Sequence, residues 1–223
     1  MEVIAHIENN FTSKFGIPRQ SGIIEELKGR IIFEEKFRDE AAFRGLEEFS
    51  HIWLIWGFSE NKRKEWSPTV RPPRLGGNKR MGVFATRSPI RPNPIGLSCV
   101  KLESIEKEDK FGIVLHVSGA DLMNGTPIYD IKPYIVYADC KPEAKSGFVD
   151  THQNEKLIFE ENEFSELIPM AQRAEIIKIL ENDPRPSYHH DDREYGIDYA
   201  GRNIRFVVRD KKVSIISVDK SNI

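Results

Sequence analysis

Alternation of apolar and polar residues runs through the first two thirds of the chain and predicts short β-strands. The predicted strands cover residues 2–7, 30–33, 97–105, 111–118, 128–130 and 134–137. Residues 51–58 form a continuous apolar run, which is typical of a central strand buried on both faces. So many short strands with few helices predict a mainly β protein built on a β-barrel or closed sheet.

Helical spacing is confined to two places. A short helix is predicted from the N-cap Asp39 to about Glu48, and an amphipathic helix is predicted over 165–182 with Ser165 as N-cap. Strand patterns at 205–209 and 213–218 predict a terminal hairpin.

A change to charged and small residues after position 140 predicts a linker between two domains. We therefore expect a β-barrel domain over 1–142, a linker over 143–155 and a smaller α+β domain over 156–223.

A proline-rich loop separates an apolar segment at 83–85, predicted to be a strand, from a strand that begins at Ile95. Its prolines, at positions 89, 92 and 94, fix their own φ and hold the preceding residues extended. Such a stiff loop can hold Arg87, Arg91 and Asn93 in place before a ligand arrives. It can equally be a rigid crossover between core strands, and the residues alone leave both interpretations open.

Charge is distributed unevenly, although the formal net charge is only −2. Residues 62–91 contain nine basic residues and one acid, Glu65, and they are interrupted by prolines and glycines that argue against a helix face. An ordered, arginine-bearing loop of this kind can bind a polyanion, because local charge governs affinity for phosphates. The alternative is a solvated surface.

Several classes of protein are disfavoured. There is no Gly-x-Gly-x-x-Gly or Walker-type loop, which argues against a Rossmann nucleotide site. The two cysteines are far apart in the sequence, which argues against a disulfide framework or a thiolate zinc site. Residues His189–Asp192 are metal-ligand types, but adjacent side chains in an extended loop point in opposite directions. No metal is therefore expected. No apolar run of about 20 residues and no secretory signal pattern is present, so we expect no membrane span and a cytoplasmic protein.

Six motifs spread along nearly the whole chain occur together in one known family. They lie at residues 18–22 (PRQSG), 45–53 (GLEEFSHIW), 71–77 (RPPRLGG), 82–97 (GVFATRSPIRPNPIGL), 121–134 (DLMNGTPIYDIKPY) and 183–188 (DPRPSY). With them the chain resembles the TrmO, or TsaA-like, family of tRNA N6-threonylcarbamoyladenosine methyltransferases.

The resemblance implies a non-Rossmann β-barrel enzyme that takes the methyl group from S-adenosylmethionine. It also implies a homodimer with the cofactor near the subunit contact. The acceptor would be N6 of threonylcarbamoyladenosine at position 37, next to the anticodon. The implied cofactor-binding residues are Ser21, Gly22, Ile23, Glu60, Asn61, Arg87, Leu97, Ser118, Gly119, Ala120 and Asp121, of which Glu60 and Asn61 match by position after the apolar run only.

Methyl transfer to a nitrogen whose lone pair is delocalised benefits from a group that accepts the nitrogen's hydrogen. Asn93 and Asp121 are the candidates for this catalytic role, and Arg87 or Arg91 would hold a carboxylate of the cofactor or the threonylcarbamoyl group. The basic loop at residues 62–80 and the C-terminal domain would bind the anticodon stem-loop. The candidate tRNA-binding residues are Arg71, Arg74, Lys79, Arg80, Arg91, Arg185 and Tyr188. A non-catalytic RNA-binding barrel, or a methyltransferase of this fold with another small acceptor, remain the alternatives.

Overall fold

The computed structural model describes residues 1–59, 65–150, 155–185 and 193–221, with the side chain of position 74 excepted. Its strands are β1 Ala5–Asn9, β2 Lys28–Phe33, β3 His51–Gly57, β4 Thr69–Val70, β5 Met81–Gly82, β6 Ile95–Glu108, β7 Gly112–Ser118, β8 Pro127–Pro133, β9 Ile158–Glu160, β10 Tyr195–Tyr199, β11 Arg202–Arg209 and β12 Lys212–Lys220. Its α-helices are α1 Val136–Asp139 and α2 Met170–Glu181. Its 3₁₀ helices are Glu35–Phe37, Glu40–Phe43, Leu46–Glu48, Pro73–Leu75, Val83–Ala85, Gly147–Val149 and Ser165–Leu167. None of the helices in these ranges is long and apolar enough to cross a membrane.

A closed antiparallel barrel forms from strands of the first 133 residues, in the order β1-β2-β7-β6-β3-β8. Pairing of Ala5 with Ile128 brings β8 back to β1 and removes the open sheet edge. Alternate residues of each strand point inward, and they fill the interior with branched side chains such as Ile7, Ile52 and Leu115. The mainly β barrel expected from the pattern is confirmed.

Strand β3 corrects one expectation, because its run of apolar residues is not buried on both faces. Its inward residues, including Ile52 and Leu54, are inaccessible, whereas Trp53 and Ile55 on the outer face are only partly covered. A barrel has a filled interior and a second face turned outward, and an apolar outer face must be covered by something else or stay exposed.

Two predicted elements near the start and middle of the chain were wrong for local reasons. The helix expected after Asp39 divides into two short 3₁₀ helices, since Gly45 between them adopts a left-handed φ of 85° that ends the first. Asp39 does act as a cap, because its carboxylate accepts a hydrogen bond from the Ala41 amide at 2.9 Å. The strand expected at 134–137 is replaced by α1 after Ile135.

In the C-terminal region, the described strands form a sheet in the order β10-β11-β12-β9, with β9 parallel to β12 and the other pairs antiparallel. Helix α2 contributes Ile176, Ile179 and Leu180 to the cluster that buries this sheet. The expected hairpin is confirmed as β11 and β12. The helix begins later than predicted: Pro169 occupies the N-cap position, and Ser165 lies in a separate 3₁₀ helix.

The two regions are joined through the chain between β1 and β2. Phe11, Ile24 and Leu27 belong to the same buried cluster as the C-terminal sheet, and the ring of Phe11 packs edge-on against Tyr199 with centroids 4.8 Å apart. The Tyr199 hydroxyl donates to the Glu175 carboxylate at 2.9 Å inside this core. The 10–27 segment is therefore held from both sides, by β1 and β2 at its ends and by the C-terminal core along its length.

Candidate active site

The segment after Pro18 is fastened to the turn that follows β7. The Gly22 amide donates to the Gly119 carbonyl at 2.8 Å, and the Gly119 amide donates to the Leu27 carbonyl at 2.9 Å. A Cβ atom at position 119 would lie 3.4 Å from the Gly22 backbone, and Gly119 has a left-handed φ of 77°. Since 3.4 Å is an ordinary van der Waals contact, it is the left-handed backbone that favours glycine at 119, and the turn it forms brings the predicted Ser21–Gly22 and Ser118–Ala120 groups together.

Ser21 also ties this segment to the barrel wall. Its hydroxyl accepts a hydrogen bond from the Cys99 amide at 3.1 Å, and its own amide donates to the Asp121 carboxylate. Ile23, the third member of the predicted set, is partly exposed at the surface.

A chain of hydrogen bonds crosses the barrel end behind Asp121. The indole N–H of Trp56 donates to Ser98 Oγ at 2.9 Å, and Ser98 Oγ–H donates to Asp121 Oδ1 at 2.5 Å. Trp56 and Ser98 are both buried. The carboxylate is thereby held in one orientation from inside the barrel. Trp56 and Ser98 were not predicted as functional residues, although a serine at an inward position of an alternating apolar strand is the kind of signal that could have identified Ser98.

Burial raises the pKa of Asp121 above that of an ordinary aspartate, since removal from water disfavours the charged form. The hydrogen bond from Ser98, the Ser21 amide and the nearby positive charge of Arg87 act in the opposite direction, and burial outweighs them. Asp121 is thus a carboxylate with increased proton affinity at the floor of a cleft, a combination found in general bases.

The cleft above Asp121 has a volume of about 500 Å³, within the range of small-molecule sites. It lies at the barrel end, between the 14–20 segment and the proline-rich loop. Its lining residues are Lys14, Ile17, Pro18, Arg19, Gln20, Trp56, Gly57, Phe58, Ser59, Arg87, Pro89, Arg91, Ile95, Gly96, Leu97, Asp121, Met123 and Thr126. Apolar surface from the barrel and guanidinium groups from the loops thus face the same space.

The proline-rich loop supplies the cationic wall of the cleft. Arg87 donates to the side-chain oxygen of Gln20, and Arg91 donates to the Thr86 carbonyl at 3.2 Å. Leu97, 54% exposed, stands where β6 leaves the cleft. Residues 83–85 form a 3₁₀ helix in place of the expected strand, and the re-entry into a strand at Ile95 is confirmed.

Asn93 is placed differently from Asp121. It is exposed, it is outside the lining residues of the cleft, and its carbonyl accepts a hydrogen bond from the Ile95 amide at 2.8 Å. Of the two catalytic candidates, Asp121 is the one that lines the cleft.

The residues predicted to contact RNA are distributed over several surfaces. Arg71 follows β4, Lys79 is exposed before β5, and Arg80 donates to Thr69 Oγ1 at 2.7 Å. Position 74 lies in the 3₁₀ helix Pro73–Leu75. Glu60, Asn61 and Tyr188 lie outside the described residues.

Arg185 has a structural partner. Its guanidinium group pairs with the Asp183 carboxylate at 2.8 and 3.0 Å, its side chain is 11% exposed, and its carbonyl accepts from Arg19 at 2.9 Å. These contacts connect the C-terminal region with the wall of the cleft.

Metal ligands do not converge in the described part of the chain, where no group of three or more His, Cys, Asp or Glu is arranged to hold an ion. The His189–Asp192 run falls outside it.

Comparison with known proteins gives matches along nearly all of the chain. The family model of the tRNA-methyltransferase O N-terminal domain matches residues 6–140, and that of the TrmO C-terminal domain matches residues 155–221. A tRNA (adenine(37)-N6)-methyltransferase of Escherichia coli K12 is 35% identical, with 98% of this chain and 97% of the relative aligned. A putative S-adenosylmethionine-dependent methyltransferase, RcsF, of Pseudomonas aeruginosa is 37% identical over 87% of this chain and 86% of its own.

Comparison with solved structures identifies proteins of the same family. The crystal structure of TrmO from Pseudomonas aeruginosa superposes with a TM-score of 0.77 at 31% identity, covering 99% of this chain and 97% of that one. With both domain models matched in order and full-length relatives above 30% identity, the chain belongs to the tRNA-methyltransferase O family.

Proposed function

We propose that this protein is an S-adenosylmethionine-dependent methyltransferase that modifies N6 of adenosine 37 in tRNA, with threonylcarbamoyladenosine as the acceptor. The proposal rests on one observation above all. Asp121 is a partly buried carboxylate of raised pKa that lines the cleft together with three arginines. The Escherichia coli relative that aligns over nearly the whole chain is named as a tRNA (adenine(37)-N6)-methyltransferase, which supports the same reaction.

The residues of the cleft fit the cofactor. S-adenosylmethionine carries a carboxylate, an ammonium group, a sulfonium cation and an adenosine. Arg87 is suited to the carboxylate, the ionised form of Asp121 to a neighbouring cation, and Phe58 and Leu97 to the apolar surface of the nucleoside. The close contact of Gly22 with Gly119 leaves backbone, without side chains, beside Asp121.

The cofactor, when bound, supplies an electrophilic methyl group. Because catalysis of such a transfer is mainly positioning, the chain's own contribution is to hold the acceptor nitrogen in line and to receive its hydrogen. When the methyl group bonds to N6, its bond to the sulfonium sulfur would break and leave a neutral thioether, and the N6 hydrogen would pass as a proton to a carboxylate oxygen of Asp121. The increased proton affinity of that carboxylate favours the step, and Ser98 and Trp56 keep its orientation constant.

The threonylcarbamoyl group brings a carboxylate of its own. Arg91 lies in the same wall as Arg87, and its planar guanidinium group can form two parallel hydrogen bonds with such a carboxylate. This pairing would favour the modified adenosine over plain adenosine.

A homodimer is part of the proposal. The outer faces of β3 and β6 carry Ile55 opposite Leu97, next to Trp53, and α1 adds Tyr137, which is 86% exposed. An apolar patch of this kind, continuous with the mouth of the cleft, is typical of a subunit contact. Light scattering should give the mass of a dimer for the wild type and that of a monomer for Tyr137→Glu.

The division of the chain into a barrel domain over 1–142, a linker over 143–155 and an α+β domain over 156–223 is likewise proposed. It is supported by the two buried clusters, one inside the barrel and one around the C-terminal sheet, the second of which also includes Phe11, Ile24 and Leu27 from the 10–27 segment. We propose the cytoplasm as the compartment, because it contains the tRNA that the enzyme would modify.

The decisive experiment is nucleoside mass spectrometry of tRNA from a strain that lacks the gene. Loss of the N6-methylated threonylcarbamoyl nucleoside, with restoration by the wild-type gene and not by an Asp121→Ala gene, is the expected result. Unchanged nucleosides would overturn the proposal. Calorimetric titration with S-adenosylmethionine separates the non-catalytic RNA-binding alternative, which predicts no heat of binding.

A further inference from the structure

A second, larger cleft of about 870 Å³ lies beside the first. The two share Arg19, Gln20, Arg87 and Pro89, so the guanidinium group of Arg87 is part of the wall between them. The remaining walls come from residues 70–73, from residues 84–88 and from residues 145, 146, 148 and 149. A chain that enters the first cleft can continue directly into the second.

The ionisable residues that line the second cleft all carry positive charge. They are Arg19, Arg71, Arg87 and Lys145, and no carboxylate occurs among the described lining residues. The chain as a whole has a net charge of −2, so this is a local concentration of cations. It is complementary to a phosphate backbone.

An exposed aromatic ring stands at the edge of this cationic surface. Phe84 is 73% exposed because the 3₁₀ helix Val83–Ala85 turns Val83 into the core and Phe84 outward. The helix is held by the Val83 amide, which donates to the Pro68 carbonyl at 3.0 Å. Trp66, 50% exposed, lies beside it with ring centroids 6.4 Å apart and planes inclined by 22°.

Nearly parallel aromatic rings at the rim of a cationic groove are the combination that binds single-stranded nucleic acid. Phosphates contact the cations, and unpaired bases stack on the rings. Isolated exposed apolar residues are common on protein surfaces. Two exposed aromatic rings packed together beside a cationic cleft are a more specific arrangement than single exposed apolar residues.

We propose that the second cleft holds the unpaired nucleotides next to the target adenosine, with Phe84 stacking on a base and Arg71 and Lys145 contacting the adjoining phosphates. This rests on the proposed function, which brings the target adenosine into the first cleft. Residues 145–149 then form one wall of the second cleft and lie beside the RNA, a role that their composition did not indicate.

The test uses the full-length protein and an anticodon stem-loop RNA in which 2-aminopurine replaces the nucleotide on the 5′ or the 3′ side of the target adenosine. Stacking quenches 2-aminopurine fluorescence. We expect quenching by the wild type in at least one of the two RNAs, loss of quenching for Phe84→Ala, and recovery for Phe84→Tyr. The KM for RNA should rise about tenfold in Phe84→Ala, the usual cost of losing one stacked base, while the affinity for S-adenosylmethionine stays the same.

Two exposed lysines of the same segment provide a matched charge comparison. Lys145 lines the cleft, whereas Lys141 does not. Lys145→Glu should raise the KM for RNA and reduce its salt dependence, and Lys141→Glu should have a much smaller effect on both.

The outcomes separate the two proposals. If the wild type transfers methyl groups and Phe84→Ala has the same KM for RNA and the same quenching, the second cleft does not hold the nucleotides as proposed. The proposed function would be unaffected. If quenching depends on Phe84 but no methyl transfer occurs, RNA binding in the second cleft would be supported and the proposed function would be contradicted. A change of oligomeric mass in Phe84→Ala would show that the platform faces a second copy of the chain, and would overturn the assignment.

Discussion

The indole of Trp56 lies over Gly96, its partner across β3 and β6, and occupies the space that a side chain at position 96 would need. A Cβ atom there would overlap the ring. The glycine in the sequence Pro94-Ile95-Gly96 thus has a packing role: it lets the indole lie flat enough to reach Ser98, and through Ser98 to orient Asp121.

Substituting Gly96 by alanine should therefore displace Trp56 and disturb the carboxylate behind it. We expect a loss of about 1–3 kcal/mol in the free energy of unfolding, as for other overpacked interiors, together with reduced turnover. Urea unfolding and methyl-transfer assays measure the two effects. Gly82→Ala is the control, because position 82 has open space around it and a negative φ, and its stability should change by less than about 0.5 kcal/mol. Equal stability of the two variants would contradict the packing role.

Asp121→Asn should separate stability from activity. Because burial raises the folded-state pKa of Asp121, the protonated form is favoured in the native protein, and its stabilising contribution is complete below the unfolded pKa of about 3.9. That contribution is lost as the pH rises through the folded pKa. The difference in stability between wild type and Asp121→Asn should accordingly shift against the wild type from about pH 4 upward.

Chemical unfolding at a series of pH values measures this difference. The variant should retain its stability at neutral pH and lose methyl transfer. A difference that is constant with pH would show that Asp121 does not titrate across this range, and full turnover by the variant would remove it as the base.

Ser98→Ala should move the pH dependence of catalysis. The hydrogen bond from Ser98 lowers the pKa of Asp121, so its loss raises that pKa further. If the ionised carboxylate receives the N6 hydrogen, the acidic limb of the kcat profile should shift to higher pH. Ser104→Ala is the control on the same strand, because its hydroxyl donates to Glu106, away from the cleft. Identical pH profiles for Ser98→Ala and wild type would show that the hydrogen bond from Ser98 does not influence the carboxylate that receives the hydrogen.

Arg87 and Arg80 should affect different substrates. Arg87 lines the cleft proposed for the cofactor, and removing a charge-assisted hydrogen bond raises Kd about tenfold or more, so Arg87→Ala should weaken binding of S-adenosylmethionine in calorimetry. Arg80 is outside both clefts and bonds to Thr69, so Arg80→Ala should leave that binding unchanged. Its effect should appear as a weaker salt dependence of tRNA binding, by roughly one phosphate contact. Equal loss of cofactor affinity in both variants would show that the effect is not specific to the cleft.

Much of the barrel could be predicted from the sequence because period-two alternation is a local property. Strands β1, β2, β6 and β7 lie close to their predicted positions. The wrong predictions occurred where the same local pattern is compatible with more than one secondary structure. Val83, Phe84 and Ala85 are apolar enough for a strand, yet only Val83 is buried, and the short 3₁₀ helix exposes the ring that we assign to RNA binding.

The sequence by itself determined the strand order along the chain, the stiff arginine-bearing loop and the motifs of the family, all of which depend on residues near one another in the chain. Only the tertiary structure decided that Gly22 meets Gly119, that Trp56 and Ser98 stand behind Asp121, and that Lys145 shares a cleft with Arg71. These contacts join residues 23 or more positions apart, and the pairing of strands and packing of loops in the folded chain create them. Alternation indicates which face of a strand is buried, but not which distant residue lies opposite it.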